Sequence, residues 1–481
     1  MELHTLDATA QAELVRTGKV TPAELVDAAI ARIERHNPEL NAVIWPMFDE
    51  ARATARGPLP GGDNAEFRGV PFLVKDIVAQ VKGTPYTAGL RPLKAANLRA
   101  PRDSYLVESF RRAGFVICGK TNTSELGIVP SVEPDAHGAA HNPYDTSRST
   151  GGSSGGSGAA VAAGLVSIAH ANDGGGSIRI PAACCGLVGL KPSRGRVSVG
   201  PDYGSINGGL VCEHVVTRSV RDSARVLDLI QGARPGDPYA APTPIRPYRE
   251  ELGAVTGKLR IGFAKRYMNP TGQLVGVHAD AAAAVDHTAK LLESLGHHVE
   301  EAEIDALKSP EYVPRFLAVW ATGVAADLEG VEILLKRKIA AEEVEPLTWG
   351  LAQMGKSVSA PGYVLAWRWL EANARAVAAF FERYDLWLTP TVSGPPPKLG
   401  AFKSDPGNPL GGIFAAAEFA PFTPPFNATG QPAISLPLFK NAAGLPIGSH
   451  LVAAYGREDL LIRVASQLEA AQPFVHTATR A

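Results

Sequence analysis

"VSIAHANDGGGSIRIP", residues 166 to 181, sets an apolar run, three consecutive glycines and a serine side by side. Val166 to Ala169 read as a buried strand, short and apolar, running directly into the glycines. Glycine runs cost chain entropy, so a folded protein needs a reason to keep one. One reason is chemical. "DGGGS" offers four successive backbone donors, from Gly174, Gly175, Gly176 and Ser177, and converging N–H groups stabilise an oxyanion. Glycines also let a carbonyl approach without intervening Cβ atoms. Strand, glycine turn and serine make a nucleophile platform; a flexible turn with a capping serine accounts for the same residues. This stretch alone does not decide between them.

Working outward, a second glycine-serine run, "STGGSSGGSG" (Ser149 to Gly158), leads into "GAAVAAGL", a helix of small residues suited to close packing. Further upstream, Val70 to Val74 form a β-type run that delivers Lys75 at its end. A helix over 104–113 precedes the strand Phe115 to Cys118. Downstream, "KLRIGFA" is a strand, and "HADAAAAVDHTAKLLESLGHHVEEAEI" is a helix followed by a strand. This alternation predicts an α/β fold: a single large domain whose mixed, mostly parallel central sheet has helices on both sides. At the start, Thr21 is an N-cap, Pro22 the first helical residue and Glu24 the partner in a capping box, with Asn37-Pro38 ending the helix. The Pro-rich stretch 232–247 is a long irregular connection. Residues 306–383 are helical, and Trp320, Trp349, Trp367 and Trp369 within them belong to a core rather than a pocket. The chain thus divides into a helical cover (1–65), a catalytic core (66–232), a variable substrate-shaping segment (233–385) and the C-terminal part of the core (386–481).

Composition narrows the function. The 481 residues are 45% hydrophobic and 20% charged with a net charge of −1, so no global field recruits nucleic acid or an anionic membrane. "KRK" at 336–338 is a short solvated helix face. The four cysteines are too few for a disulfide scaffold, and Cys184 and Cys185 read as small buried residues. No spacing of Cys or His suits zinc. The N-terminus carries no signal-peptide pattern and no apolar run is long enough to span a membrane, so the expected setting is cytoplasmic.

Two motifs mislead. "GFVICGKT" (Gly114 to Thr121) matches a P-loop, but its four middle residues are the strand itself, leaving no loop to cradle phosphate. "GGSSG" (Gly151 to Gly155) matches a nucleophile elbow, yet turn-rich residues precede it and no downstream histidine advertises itself as the base. A serine nucleophile still needs a base. His170 reads as a core histidine. Lys75 follows an apolar run that tends to bury it, and burial depresses a lysine's pKa. Bringing it from about 10.4 to about 7 costs roughly 4 to 5 kcal/mol, which a large core absorbs. A snorkelling lysine at a strand end is the alternative.

Lys75 in "GVPFLVKD", the run "GGSSGGSGAAVAAG" and "DGGGSIRIPAACCGLVGLKPSRGRV" together resemble the three catalytic blocks of the amidase signature family. "FNATGQPAISLPL", "GLPIGSHLV" and "EDLLIRVASQLE" are similar to its C-terminal segments, in the same order. The resemblance implies Ser177 as acyl-accepting nucleophile, Ser153 as a bridging serine on a cis peptide bond, and Lys75 as base. It implies an oxyanion hole from Gly174, Gly175, Gly176 and Ser177, with Gly127 lining the pocket. It also implies an amide hydrolase with neither metal nor cofactor, acting on a small-molecule amide, with no nucleic-acid or membrane partner. The oligomeric state is left open, homodimer included. Ile180 stands where the tRNA-amidotransferase branch has Gln, which favours stand-alone bacterial amidases. Those include enzymes acting on lactams, linear oligoamides and aryl amides, the cyclic-dimer nylon hydrolases among them. A glutaminase subunit of an amidotransferase complex is the alternative reading.

Overall fold

The computed structural model describes residues 2–476 and 478. Eleven strands form one sheet: β1 (Val43–Pro46), β2 (Pro71–Lys75), β3 (Val116–Thr121), β4 (Ile168–Asp173), β5 (Val188–Lys191), β6 (Cys212–Thr217), β7 (Arg260–Phe263), β8 (His298–Glu301), β9 (Leu386–Pro390), β10 (Ala433–Lys440) and β11 (Pro446–Ala453). Their order across the sheet is β1-β3-β2-β4-β6-β5-β10-β11-β9-β7-β8. Pairing is parallel among β3, β2 and β4 and again among β9, β7 and β8. From β4 through β6, β5, β10 and β11 to β9 every ladder is antiparallel. Short connections such as the one between β10 and β11 force that direction, whereas parallel pairs need long crossovers.

Alternate residues of a strand face opposite sides, and here each side has its own core. Phe72 and Val74 enter one core with Val215, Leu227 and Leu461. Leu73 enters the other with Ala160, Ala182 and Ile30. The period of two therefore puts Lys75 on Leu73's side, beneath α1 (Pro22–Leu40), α2 (Gly155–Ala162) and α3 (Arg179–Cys185). All eight small residues of α2 are buried, which lets it lie close over β4.

The capping box at Thr21 forms in both directions, Glu24 N–H donating to Thr21 Oγ1 and Thr21 N–H to Glu24 Oε2. The helix does not stop at Asn37-Pro38, however. It continues through Pro38 to Leu40 and ends on Asn41 in the left-handed region at φ 46°. A proline in the last turn forfeits only one bond of the helical ladder, and just past the helix end the Asn37 side chain accepts from the N–H groups of Ala42 and Val43. The 306–383 region is three helices, α4 (Tyr312–Leu335), α5 (Pro346–Ser357) and α6 (Ala360–Ala378). Trp349, Trp367 and Trp369 pack into their shared core. At 336–338 the basic residues are solvent-facing but lie just past the end of α4 and not on a helix face, Arg337 and Lys338 pairing with Glu343 and Glu332. The four cysteines are buried and free, and among the described residues no helix is long and apolar enough to cross a membrane.

Candidate active site

Lys75 lies at the end of β2 with no exposed surface. Its Nζ donates to Ser153 Oγ at 2.8 Å and to Asn172 Oδ1 at 2.6 Å. Neither acceptor carries a charge. Burial pulls the lysine down to about 7, against the upward pull of the carboxylates of Glu213 and Asp173. Ser153 follows a cis peptide bond from Gly152, just before α2. Its hydroxyl is covered by Gly127, at φ 69°, where a Cβ would stand 3.2 Å from Ser153 Oγ. Any side chain there would crowd the hydroxyl. The next residue, Ser154, ties this loop to β4: its Oγ donates to the Asn172 carbonyl and accepts the Asn172 N–H.

The glycine loop after β4 is shaped by Asp173. Its Oδ1 accepts from Gly176 N–H at 2.6 Å, and its Oδ2 from Ile178 N–H at 3.2 Å. Both oxygens also accept from the fully buried Arg179 guanidinium, at 2.8 and 2.9 Å. Burial alone would raise this carboxyl, but Arg179 holds it well below the usual carboxylate range. Gly176 adopts φ 131°, and a Cβ there would come within 2.3 Å of Thr423 Oγ1. Thr423 Oγ1 in turn donates to the Gly175 carbonyl. Of the four successive N–H groups expected as oxyanion donors, that of Gly176 is thus already taken by Asp173, so this residue contributes its backbone turn rather than a donor. The N–H groups of Gly174, Gly175 and Ser177, and the Ser177 hydroxyl, have no acceptor among the described residues.

Ser177, Gly127, Gly152 and Gly175 line a cavity of about 510 Å³. One wall is an aromatic stack on α4. Tyr312 lies on Phe316 with ring centroids 5.8 Å apart, and Phe316 on Trp320 at 5.7 Å. Trp320 therefore belongs to the pocket as well as to the core, contrary to the expectation for the tryptophans of this segment; its ring lies 3.3 Å from the position of a Cβ on Gly174. At the rim, Arg266 and Lys308 both pair with Glu303. The charged groups that border the cavity are matched with each other.

Neither misleading motif has the surroundings its pattern calls for. Gly114 to Thr121 is β3 with its preceding turn, and Lys120 is buried against the Asp76 carboxylate and the Pro85 carbonyl. Contrary to the sequence reading, a short strand, Asp145–Ser149, does precede Gly151, so the elbow pattern fails on its missing histidine base rather than on what comes before it. Among the downstream histidines His450 is packed between Arg179 and Thr389, bonded to neither serine. His170 is buried in the core, as its sequence setting suggests. The residues missed from the sequence are Asn172, Asp173, Arg179 and Glu213. Glu213 alone carried a signal, a charge inside the apolar run "LVCEHVV".

The structure thus places a buried lysine within hydrogen-bonding distance of one serine, on a cavity that a glycine loop and a second serine also line. The chain belongs to the amidase signature family: the family model "Amidase" matches residues 24–462. It is an amidase, a hydrolase acting on amide carbon–nitrogen bonds. It is 42% identical over 478 residues to the 6-aminohexanoate-cyclic-dimer hydrolase of Pseudomonas sp. (strain NK87), covering 98% of this chain and 95% of that one. A solved structure of a 6-aminohexanoate cyclic dimer hydrolase superposes with a TM-score of 0.93 at 41% identity, over 98% of both chains. A bacterial aryl acylamidase of the amidase signature family superposes with a TM-score of 0.87 at 25% identity, over 100% of both chains.

Proposed function

We propose that this enzyme hydrolyses small or oligomeric carboxamides with apolar flanks (linear amides, lactams or aryl amides) through an acyl-serine formed by a Ser177–Ser153–Lys75 relay. The observation that carries the reading is the 2.8 Å bond from a fully buried Lys75 Nζ to Ser153 Oγ. With a pKa near 7 the amine is neutral often enough to act as a base. Lys75 takes the proton of the Ser153 hydroxyl while Ser153 Oγ takes that of Ser177, whose oxygen attacks the amide carbonyl. The tetrahedral oxyanion is held by the free N–H groups of the glycine loop. The proton then returns from Lys75 through Ser153 to the leaving nitrogen, the C–N bond breaks and the Ser177 ester remains. Water deacylates it by the same route. Esters and carbamates present a similar carbonyl and are expected side substrates.

The aromatic wall of Tyr312, Phe316 and Trp320 supports an apolar acyl or amine group. Free glutamine, the substrate of the amidotransferase reading, carries an ammonium and a carboxylate that need unpaired partners. The bordering Arg266, Lys308 and Glu303 are already paired, so no ammonia release from glutamine is expected. The decisive experiment is labelling with a fluorophosphonate followed by location of the adduct by mass. An adduct on Ser177 is expected; an adduct on Ser153, or none, overturns the proposal.

A further inference from the structure

One buried charge next to the relay has no part in the chemistry described so far. Glu213 on β6 is 1% exposed, and the strand register sets it directly opposite Asn172 on β4. Its two oxygens serve different partners. Oε1 accepts from Asn172 Nδ2 at 3.2 Å, and Oε2 lies 2.5 Å from His170 Nε2. Both partners lead on to Lys75. Asn172 Oδ1 accepts from Lys75 Nζ, and His170 Nδ1 accepts from the Lys75 backbone N–H at 3.2 Å. An imidazole nitrogen that accepts carries no proton, so the ring proton sits on Nε2 and is donated to Glu213. The carboxylate therefore fixes the histidine tautomer and, together with the Ile77 carbonyl at 3.4 Å, which end of the Asn172 amide faces the amine. An apolar residue would suit the surrounding run without the cost of burying a charge.

We infer that Glu213 is a positioning residue for Lys75: through Asn172 it aims the side-chain nitrogen at Ser153, and through His170 it anchors the backbone that carries it. The inference rests on the reading of Lys75 as the base of the relay. Its negative charge has a second effect, because it opposes the loss of basicity that burial imposes on the lysine. Around the site, His170 and Asp173 stand on β4, His214 beside Glu213 on β6, Lys191 on β5, Lys120 on β3 and Asp76 just past β2. Lys120 is neutralised by Asp76 and Asp173 by Arg179. On the helix over 220–230 that packs on β6, Asp222 is taken by the N–H groups of Ala8 and Thr9, and Arg225 by Glu66. Glu213 is the carboxylate that reaches the amine through a single side chain.

The test follows the rate of Ser177 labelling by a fluorophosphonate against pH in the full chain, a readout that needs no known substrate. In Glu213→Gln the plateau rate should fall about tenfold or more. The midpoint of the acid limb should move to lower pH by about one unit, since a nearby carboxylate no longer favours the ammonium. Glu213→Asp should return the midpoint toward that of the wild type. An unmoved midpoint in Glu213→Gln, with or without a lower rate, overturns the inference and leaves Glu213 a structural residue. If Glu213→Gln does not fold, Asn172→Ala takes its place, and a wild-type labelling rate there is equally decisive against it. Lys75→Met separates the two readings. Labelling at the wild-type rate in Lys75→Met defeats the relay itself, whereas its loss alongside an unmoved Glu213→Gln midpoint defeats the positioning role alone.

Discussion

Two lysines end neighbouring strands, Lys75 on β2 and Lys120 on β3, one register step apart and both without exposed surface. Their surroundings separate them. Lys120 meets the Asp76 carboxylate and the Pro85 carbonyl, with Tyr86 facing its Nζ 5.4 Å from the ring centre. Lys75 meets a hydroxyl and an amide, and its countercharges stand at one remove. An ammonium buried against a carboxylate is a fixed structural charge, because neither partner can be lost without stranding the other. An ammonium buried among neutral acceptors has little to keep its proton. Burial is common to both; the charge of the first contact sets them apart.

This contrast can be broken in three ways. The largest effect is on turnover: Lys75→Ala should lower kcat by about 10² to 10⁴, the range of a general base, with a little-changed melting temperature in a thermal scan. Loss of the buried ammonium offsets part of the cavity that truncation leaves, and retained activity would take Lys75 out of the relay. The middle effect is on stability. Lys120→Met leaves Asp76 buried without its cation and should cost about 3 to 5 kcal/mol in denaturant unfolding. A Lys120→Met variant as stable as the wild type would show that the pair is not what distinguishes the two strand ends. The smallest effect is on pH dependence. Lys75 must be unprotonated to accept the serine proton, so kcat/KM should rise with pH, level off above about 7, and fall about tenfold for each unit below that value. A flat profile between pH 5 and 8 would remove the lysine from the rate-determining proton transfer.

Much of this was legible in the chain. The run over 166–169 announced a strand, though the observed one starts two residues later and runs on to Asp173; "DGGGS" announced a turn rich in N–H groups, and the apolar run before Lys75 its burial. The capping box at Thr21 formed as read because it depends on residues three positions apart. Where the reading fell short, distance in sequence was the cause. The antiparallel ladders from β4 to β9 depend on which strands meet, and strand–helix alternation does not encode that. Pro38 is a local exception: it read as a stop, but in the last turn it costs a single ladder bond and the helix runs on to Leu40. Trp320 read as core because its helical setting is apolar, but the same ring also borders the cavity over Gly174.

The sequence by itself determined the chemical parts: a serine after flexible donors, a second serine among glycines, and a lysine at the end of an apolar strand. Those are local facts of residue type, fixed by propensity and spacing. Only the tertiary structure decided which donors remain free, because Asp173 claims the Gly176 N–H through a side chain that Arg179 and Asn427 orient from either side. It also brought Glu213 to Asn172 and His170 across 41 and 43 residues of chain. The lowered pKa of Lys75 belongs to that second set of facts, because a pKa is set by the charges and dipoles that surround a group in space.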